Sequence, residues 1–366
     1  LLLRIAVTAA LRVAPGCTDW SIGEARELAQ HSETLHQTPP EAVQRLLIDT
    51  DPGVDDAMAL YFALAHPSIE VMAITTVFGN VTVQQATTNA LYLTQLAGRD
   101  IPVVQGAAAP LVKTFHAPPA HIHGADGLGN LPTRAATQRS AQAGDAAQFI
   151  VDAARARPGL ITLVPVGPLS NIARALALEP RLPQLIKQVV LMGGTVQEMG
   201  NVSPVAEANI WSDPHAADAV FTAGFDLTMV GLDVTHQIVL PLSLFEKFAL
   251  HHRHDATDTL LHAARFYTNF YTDRFAHIEG FSGCFGHDML AFVRLAHPEL
   301  FGHASGQMRV VLEGITHGQT VMRRDGQVAF LQPGWEDHLP HAQACITVDA
   351  AAATAAFEQT LLRPWL

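Results

Sequence analysis

The 366-residue chain predicts an α/β fold: one domain with a mostly parallel sheet flanked by helices and antiparallel strands at an edge. Two observations predict it. Short, nearly continuous apolar runs alternate with helix-patterned segments, as buried parallel strands and their crossover helices do. Polar residues follow several of those runs directly, at the carboxyl ends of strands where open α/β sheets bind ligands. With 49% hydrophobic residues the chain can bury a large core.

The elements follow in order. RLLID (45–49) is a short apolar strand, and DDAMALYFALAH (55–66) is a helix whose leading acids suit the positive end of its dipole. VMAITTVFG (71–79) is the second strand, TVQQATTNALYLTQLAG (82–98) the second long helix and IPVVQG (101–106) the third strand. TFHAPPAHIHGADGLGN (114–130) is too rich in Gly, Pro and His for a regular element and reads as a loop. LITLVPVG (160–167), QVVLMGG (188–194) and DLTMVGLDVT (226–235) are further buried strands with helices between them. Helices are expected at about 242–252 and 258–275, and MRVVLEGI (308–315) and QTVMRRDGQVAF (319–330) as antiparallel edge strands. Polar residues follow strands at Asp49–Asp56, Gly79-Asn80, Val166-Gly167, Met192–Asn209 and Asp233–His236.

A formal net charge of −12 argues against a nucleic-acid partner. Cys17, Cys284 and Cys345 are odd in number and far apart, which suggests no disulfide framework and fits a reducing, cytoplasmic location. No run of eighteen apolar residues exists, so no membrane span is expected. At the start, LLLRIAVTAALRVAPG is interrupted by Arg4 and Arg12 with no basic segment ahead of it. Residues 1–44 are therefore expected to be a weakly structured extension, with residues 45–366 forming the working domain.

The stretch LIDTDPGVDDA (47–57) places four aspartates within eight residues. Helix-dipole preference accounts for Asp55 and Asp56 but not for Asp49 and Asp51 at the strand end. An EF-hand loop starting at Asp49 would need Gly at its sixth position and Glu at its twelfth, where Val54 and Leu60 stand. A phosphoryl-transfer aspartate of the D-x-D-G-T kind lacks its threonine, because Pro52-Gly53 follows Asp51. A hard divalent cation makes such a carboxylate cluster tolerable, and oxygen ligands favour Ca²⁺ or Mg²⁺. Further oxygen donors are available in Asp288 of GHDMLA and in the carbonyl of Val166 at its strand end.

DTDPGVDDA, FGNVT, HIHGADGLG, VGPLSNIA, LMGG, GNVSPVAEAN, MVGLDVTHQ and GHDMLA occur in the order seen in nucleoside hydrolases. From about residue 45 to its end the chain resembles the inosine–uridine-preferring type of this family. The resemblance implies an N-glycosidic hydrolase that splits ribonucleosides into ribose and free base. It implies Ca²⁺ bound by Asp51, Asp56, Asp288 and the main-chain carbonyl of Val166, with Asp51 also the general base. The ribose would be held by Asp55, Asn80, Met192, Asn201, Glu207 and Asn209, with contact under the ribose preferred over strand packing for Met192. His287 would be the acid beside the leaving base. Family members are commonly homodimers or homotetramers. The family's usual AEFN is AEAN here, so Ala208 replaces an aromatic residue in that wall.

The base pocket is the least determined part. His123 of the glycine-rich loop matches the family's loop histidine. Tyr267 and Tyr271 stand four residues apart on one helical face, which fits either a base-binding wall or an aromatic core stripe. HHRHD (251–255) is expected at a helix end in solvent rather than on a metal, and Cys284 is expected to pack. Two other functions share these sugar motifs. One is a hydrolase of a different riboside, such as nicotinamide riboside. The other is a nucleoside-binding protein without catalysis.

Overall fold

The computed structural model describes residues 43–327 and 333–366. The extension expected over 1–44 lies outside the described residues except for its last two positions, as does the expected strand from residue 328 on. The chain runs β1 (Gln44–Thr50), α1 (Val54–Ala65), β2 (Ile69–Thr76), α2 (Val83–Leu96), β3 (Val103–Gln105), α3 (Ala120–His123) and α4 (Ala146–Ala156). There follow β4 (Ile161–Pro165), α5 (Ser170–Leu178), α6 (Leu182–Leu185), β5 (Gln188–Met192), α7 (Ala208–Ser212), α8 (Pro214–Phe221), β6 (Leu227–Val230) and α9 (Leu232–Thr235). The remainder is β7 (Val239–Leu240), α10 (Leu242–His252), α11 (Asp255–Arg274), β8 (Cys284–Phe285), α12 (Met289–Ala296), β9 (Phe301–Val310), β10 (Thr320–Arg324), β11 (His341–Val348) and α13 (Ala350–Leu361).

The main sheet has the order β10-β9-β11-β6-β5-β4-β1-β2-β3. Neighbours from β11 through β3 pair in parallel, and β9 pairs antiparallel with both β10 and β11. The continuous apolar run of β1 reflects burial on both faces. Leu46 and Ile48 enter one core with α1, α11, α12 and α13, while Leu47 enters a second core with α4, α5 and α8. Helix α1 is buried almost all round, which is why its sequence is apolar on every face.

The chain lays β2 and β3 on one side of β1, then returns to place β4 on the other. Strand order therefore reverses between β1 and β4, and the crevice at their carboxyl ends is the position such sheets use for ligands. The Asp51 turn and Val166-Gly167 open onto it. Val166 N donates to Asp49 O at 2.8 Å, which locks the two strand ends together.

Several expectations are corrected: DLTMVGLDVT is a strand only over Leu227–Val230 and turns into α9 because the chain bends at Gly231, and the 114–130 loop carries the short helix α3. The third strand shrinks to Val103–Gln105, and the strand placed at 308–315 runs over Phe301–Val310 instead. Strand β11 and helix α13 were not foreseen. HAQACITV is weakly β-like by composition, and it becomes a strand because β6 and β9 offer partners on both sides.

Candidate active site

Each aspartate of the opening motif has a different setting. Asp49 faces inward, where its Oδ1 accepts from Thr75 Oγ1 at 2.5 Å and Asn171 Nδ2 at 2.8 Å. Asn171 also donates to Thr76 O at 2.9 Å, so Asp49 ties β1, β2 and α5 into one support. Burial lifts its pKa to about 7 against those hydrogen bonds. Asp51 accepts from the backbone N–H of Asn80 through Oδ2 at 2.6 Å, and its buried Oδ1 has no partner.

Asp56 caps the first turn of α1, with Oδ2 accepting from Gly53 N at 2.9 Å and from Asn80 Nδ2 at 3.0 Å; Oδ1 accepts from Thr50 Oγ1. Asp55 and Asp56 both lie in the first turn of α1, where the helix-dipole reading put them. Asp55 receives a hydrogen bond from Tyr267 at 3.2 Å on Oδ2, while Oδ1 is unpartnered. Glycine shapes the seat of Asp51: a Cβ at Gly79 would lie 1.9 Å from its Oδ2, and one at Gly167 would lie 2.6 Å from its Oδ1.

Asp288, at the start of α12, completes the cluster. Carboxylate oxygens of Asp55, Asp56 and Asp288 lie within 4.8 Å of one another, and Oδ2 of Asp288 is buried without a partner. The sequence expectation grouped Asp51 with Asp56 and Asp288; the tightest convergence in the structure has Asp55 in that place. Burial and mutual repulsion raise the pKa of Asp51 and Asp288 well above the carboxylate range and that of Asp55 to about 8. Repelling, under-bonded oxygens gathered inside a protein are the donor set of a hard cation, so this cluster could bind a metal.

Across the cavity stands an aromatic wall. Thr235 Oγ1 meets His287 Nδ1 at 2.8 Å, His287 Nε2 meets Tyr271 OH at 3.1 Å, and Tyr271 OH meets Tyr267 OH at 3.3 Å. Tyr267 then donates to Asp55, so the chain of hydrogen bonds joins the two walls. His123 accepts from Val54 N through Nδ1 at 3.2 Å and packs its ring 5.3 Å from that of Tyr267. Burial holds both His287 and His123 below the usual histidine range.

One cavity joins these walls. Asp55, Asn80, His123, Val166, Met192, Asn201, Glu207, Asn209, Tyr267, Tyr271, His287 and Asp288 all line it. Asp51 lines an adjoining cleft, and fully buried Asp56 reaches neither surface. Asn209 Nδ2 donates to Val166 O at 3.0 Å and to Met192 O at 3.2 Å. Glu207 caps α7, accepting from Gly194, Asn209 and Ile210 N–H groups at 2.9, 2.9 and 3.1 Å. Asn201 Oδ1 accepts from Ala208 N at 3.0 Å.

Sequence reasoning marked Asp233–His236 as polar residues after a strand but gave Asp233 and Thr235 no role, and it did not single out Asn89. Thr235 fixes the ring of His287. Asn89 holds the Pro52 carbonyl at 2.7 Å and the Asp126 carbonyl at 2.9 Å. Asp233 accepts from Val196, Gln197 and Glu198 N–H groups, shaping the loop after β5. Asn89 shares its helix with three Gln and three Thr, two of the Thr buried, so its residue type gave no signal. The HHRHD tuft lies at the junction of α10 and α11, where His252 Nε2 meets Leu361 O at 2.6 Å and His254 caps α11. Cys284 is buried against the Leu240 carbonyl, and its thiol is pushed up to about 12, which suits packing rather than nucleophilic attack.

Comparison with known proteins agrees with this geometry. Residues 46–355 match the profile of the inosine-uridine preferring nucleoside hydrolase family. The chain is 38% identical over 325 residues to a probable uridine nucleosidase 1 of Oryza sativa subsp. japonica, covering 87% of this chain and 97% of that protein. It is 36% identical over 327 residues to uridine nucleosidase 1 of Arabidopsis thaliana, covering 88% and 94%. Among solved structures it is similar to the plant nucleoside hydrolase PpNRh1, with a TM-score of 0.82 and 35% identity over 88% of this chain and 100% of that one.

Fold and site together define an enzyme that hydrolyses N-glycosidic bonds. The chain belongs to the inosine-uridine preferring nucleoside hydrolase family.

Proposed function

We propose that this chain is a Ca²⁺-dependent hydrolase of ribonucleosides that uses Asp51 as general base and His287 as leaving-group acid. The observation that carries the reading is the pair of unpartnered buried oxygens on Asp55 and Asp288, facing the His287–Tyr271 wall across one cavity, with a third on Asp51 beside the adjoining cleft. Asp51, Asp56, Asp288 and the Val166 carbonyl would hold the ion; that carbonyl keeps a second lone pair beside its bond from Asn209. When bound, Ca²⁺ supplies charge that lowers the pKa of a water and gives the vicinal sugar hydroxyls an anchor.

The residues do the rest. Asp51 Oδ1, free of other bonds, takes a proton from the attacking water, while the Asn80 N–H holds the opposite oxygen and fixes the carboxylate plane. Asp55, Asn80, Asn201, Glu207 and Asn209 orient the sugar hydroxyls, and Met192 packs beneath the ring. The crowd of acidic and amide oxygens favours positive charge growing at the anomeric carbon. With His287 protonated, Thr235 Oγ1 holds Nδ1–H, and the proton on Nε2 is the one passed to the departing base, which leaves a neutral ring. His123, Tyr267 and Tyr271 enclose that base.

The test is a panel of ribonucleosides, their 2′-deoxy forms and nicotinamide riboside, with free base measured. Ribonucleosides should be cleaved at least about 100-fold faster than 2′-deoxyribonucleosides, because a site built around a hydroxyl rejects its absence. Binding without base release throughout would make the chain a nucleoside-binding protein. Release from nicotinamide riboside alone would move it to another riboside.

A further inference from the structure

Asp51 lines a cleft that adjoins the sugar cavity and shares Asn80, Pro119, Ala208 and Asn209 with it. None of Tyr267, Tyr271, His287, Ile122 or His123 lines this cleft, so it opens on a side of the sugar site away from the base wall. Its own surface is aromatic. Phe78 and Phe115 meet edge to face at 5.4 Å, and His116 packs 5.1 Å from Trp211. Ala208, Trp211 and Ser212 present one face of α7 to it, at the spacing of a helical stripe. Of the four residues shared by cavity and cleft, Ala208 has the smallest side chain, a single methyl.

A furanose held by this site has its orientation constrained by chemistry. Its vicinal hydroxyls go to the carboxylate wall and its anomeric carbon to His287. In the five-membered ring the carbon bearing C5′ lies across the ring oxygen from the anomeric carbon, so the C5′ arm leaves away from the base wall. The wall with the smallest side chain and open space behind it is the one formed by Ala208 and Asn209.

We propose that this cleft is a subsite for an apolar, uncharged substituent on C5′, so that the enzyme cleaves ribosides extended at that carbon; this rests on the reading given under Proposed function. The lining, among the described residues, contains no Lys or Arg, and Asp51 faces it. Nearby Lys113 is engaged by the Trp211 carbonyl at 2.8 Å and lies over the same ring. A thioether or aryl group therefore fits, and a 5′-phosphate does not.

The test compares uridine, 5′-deoxy-5′-methylthiouridine and uridine 5′-phosphate with the metal-loaded enzyme, reading kcat/KM for base release. The ratio of methylthio substrate to uridine cancels general damage in each variant. Wild-type enzyme should give a ratio at or above one and reject the phosphate. Ala208→Phe should lower the ratio by about tenfold or more, and Trp211→Ala by a smaller factor, as expected when a pocket for a group of this size is filled or unlined. A wild-type enzyme that cleaves uridine but rejects the methylthio substrate, or an Ala208→Phe ratio equal to wild type, overturns the subsite alone. Failure to cleave uridine at all overturns the parent reading, and this one with it.

Discussion

The carboxylate wall and the aromatic wall face each other across a single cavity, yet they are held in opposite ways. On the aromatic side every polar group is answered: Thr235, His287, Tyr271 and Tyr267 form a continuous run in which each donor meets an acceptor. On the carboxylate side Asp51, Asp55 and Asp288 each keep an oxygen buried and unanswered. A satisfied network is at rest as it stands, whereas unsatisfied repelling oxygens are stable only with a positive partner. The difference teaches which wall depends on a ligand. It makes removal of the cation the sharpest perturbation of the site.

Chelation should therefore have the largest effect. Treatment with EGTA should take base release to background, and added Ca²⁺ should restore it; full turnover by metal-stripped protein would break the comparison. Asp51→Asn comes next, with kcat lowered about 1,000-fold or more through loss of the base, and circular dichroism unchanged because Asn keeps the bond from Asn80. Turnover near the wild-type rate would remove Asp51 from that role.

On the aromatic side the losses should be smaller and substrate-dependent. His287→Ala should slow inosine about 100-fold but an activated aryl riboside far less, because a good leaving group needs no acid. Equal losses on both substrates would end the acid assignment. Thr235→Val, which strips only the bond to Nδ1, should cost about tenfold on inosine with little change in KM.

The smallest effect is thermal. Asp49 and Asp55 are raised by burial to about 7 and about 8, so the metal-free fold holds protons that the unfolded chain releases near pH 4. That stabilisation is complete below pH 4 and is lost as pH rises through 7 to 8. In EGTA the Tm should fall between pH 5 and pH 8, and Ca²⁺ should flatten or reverse the slope. A metal-free Tm that rises over that interval would show the carboxylates to be compensated from within.

Much of the architecture was legible because its causes are local. Doubly buried strands are largely apolar along their middle, as LLI of RLLID, LVPV of LITLVPVG and VVLM of QVVLMGG are. The carboxylate wall was legible for the same reason, since Asp49, Asp51, Asp55 and Asp56 share one strand-to-helix turn. The aromatic wall was not: Tyr267 and Tyr271 fit a core stripe or a ligand wall by spacing alone, and their hydroxyl bonds to His287 and Asp55 bridge sixteen and more residues. Strand β11 was missed because its partners, rather than its composition, make it a strand.

The sequence by itself determined the alternation of main strands and helices from β1 to β6, the acid-rich turn after β1 and the family to which the chain belongs, since these rest on short-range pattern and composition. Only the tertiary structure decided which oxygens remain unpaired, that Asp55 joins Asp56 and Asp288 while Asp51 faces a second cleft, and that Thr235 orients His287. Those outcomes depend on where the sheet order reverses and which distant side chains then meet. Hydrogen-bond partnership and burial are properties of the packed whole, and no local stretch carries them.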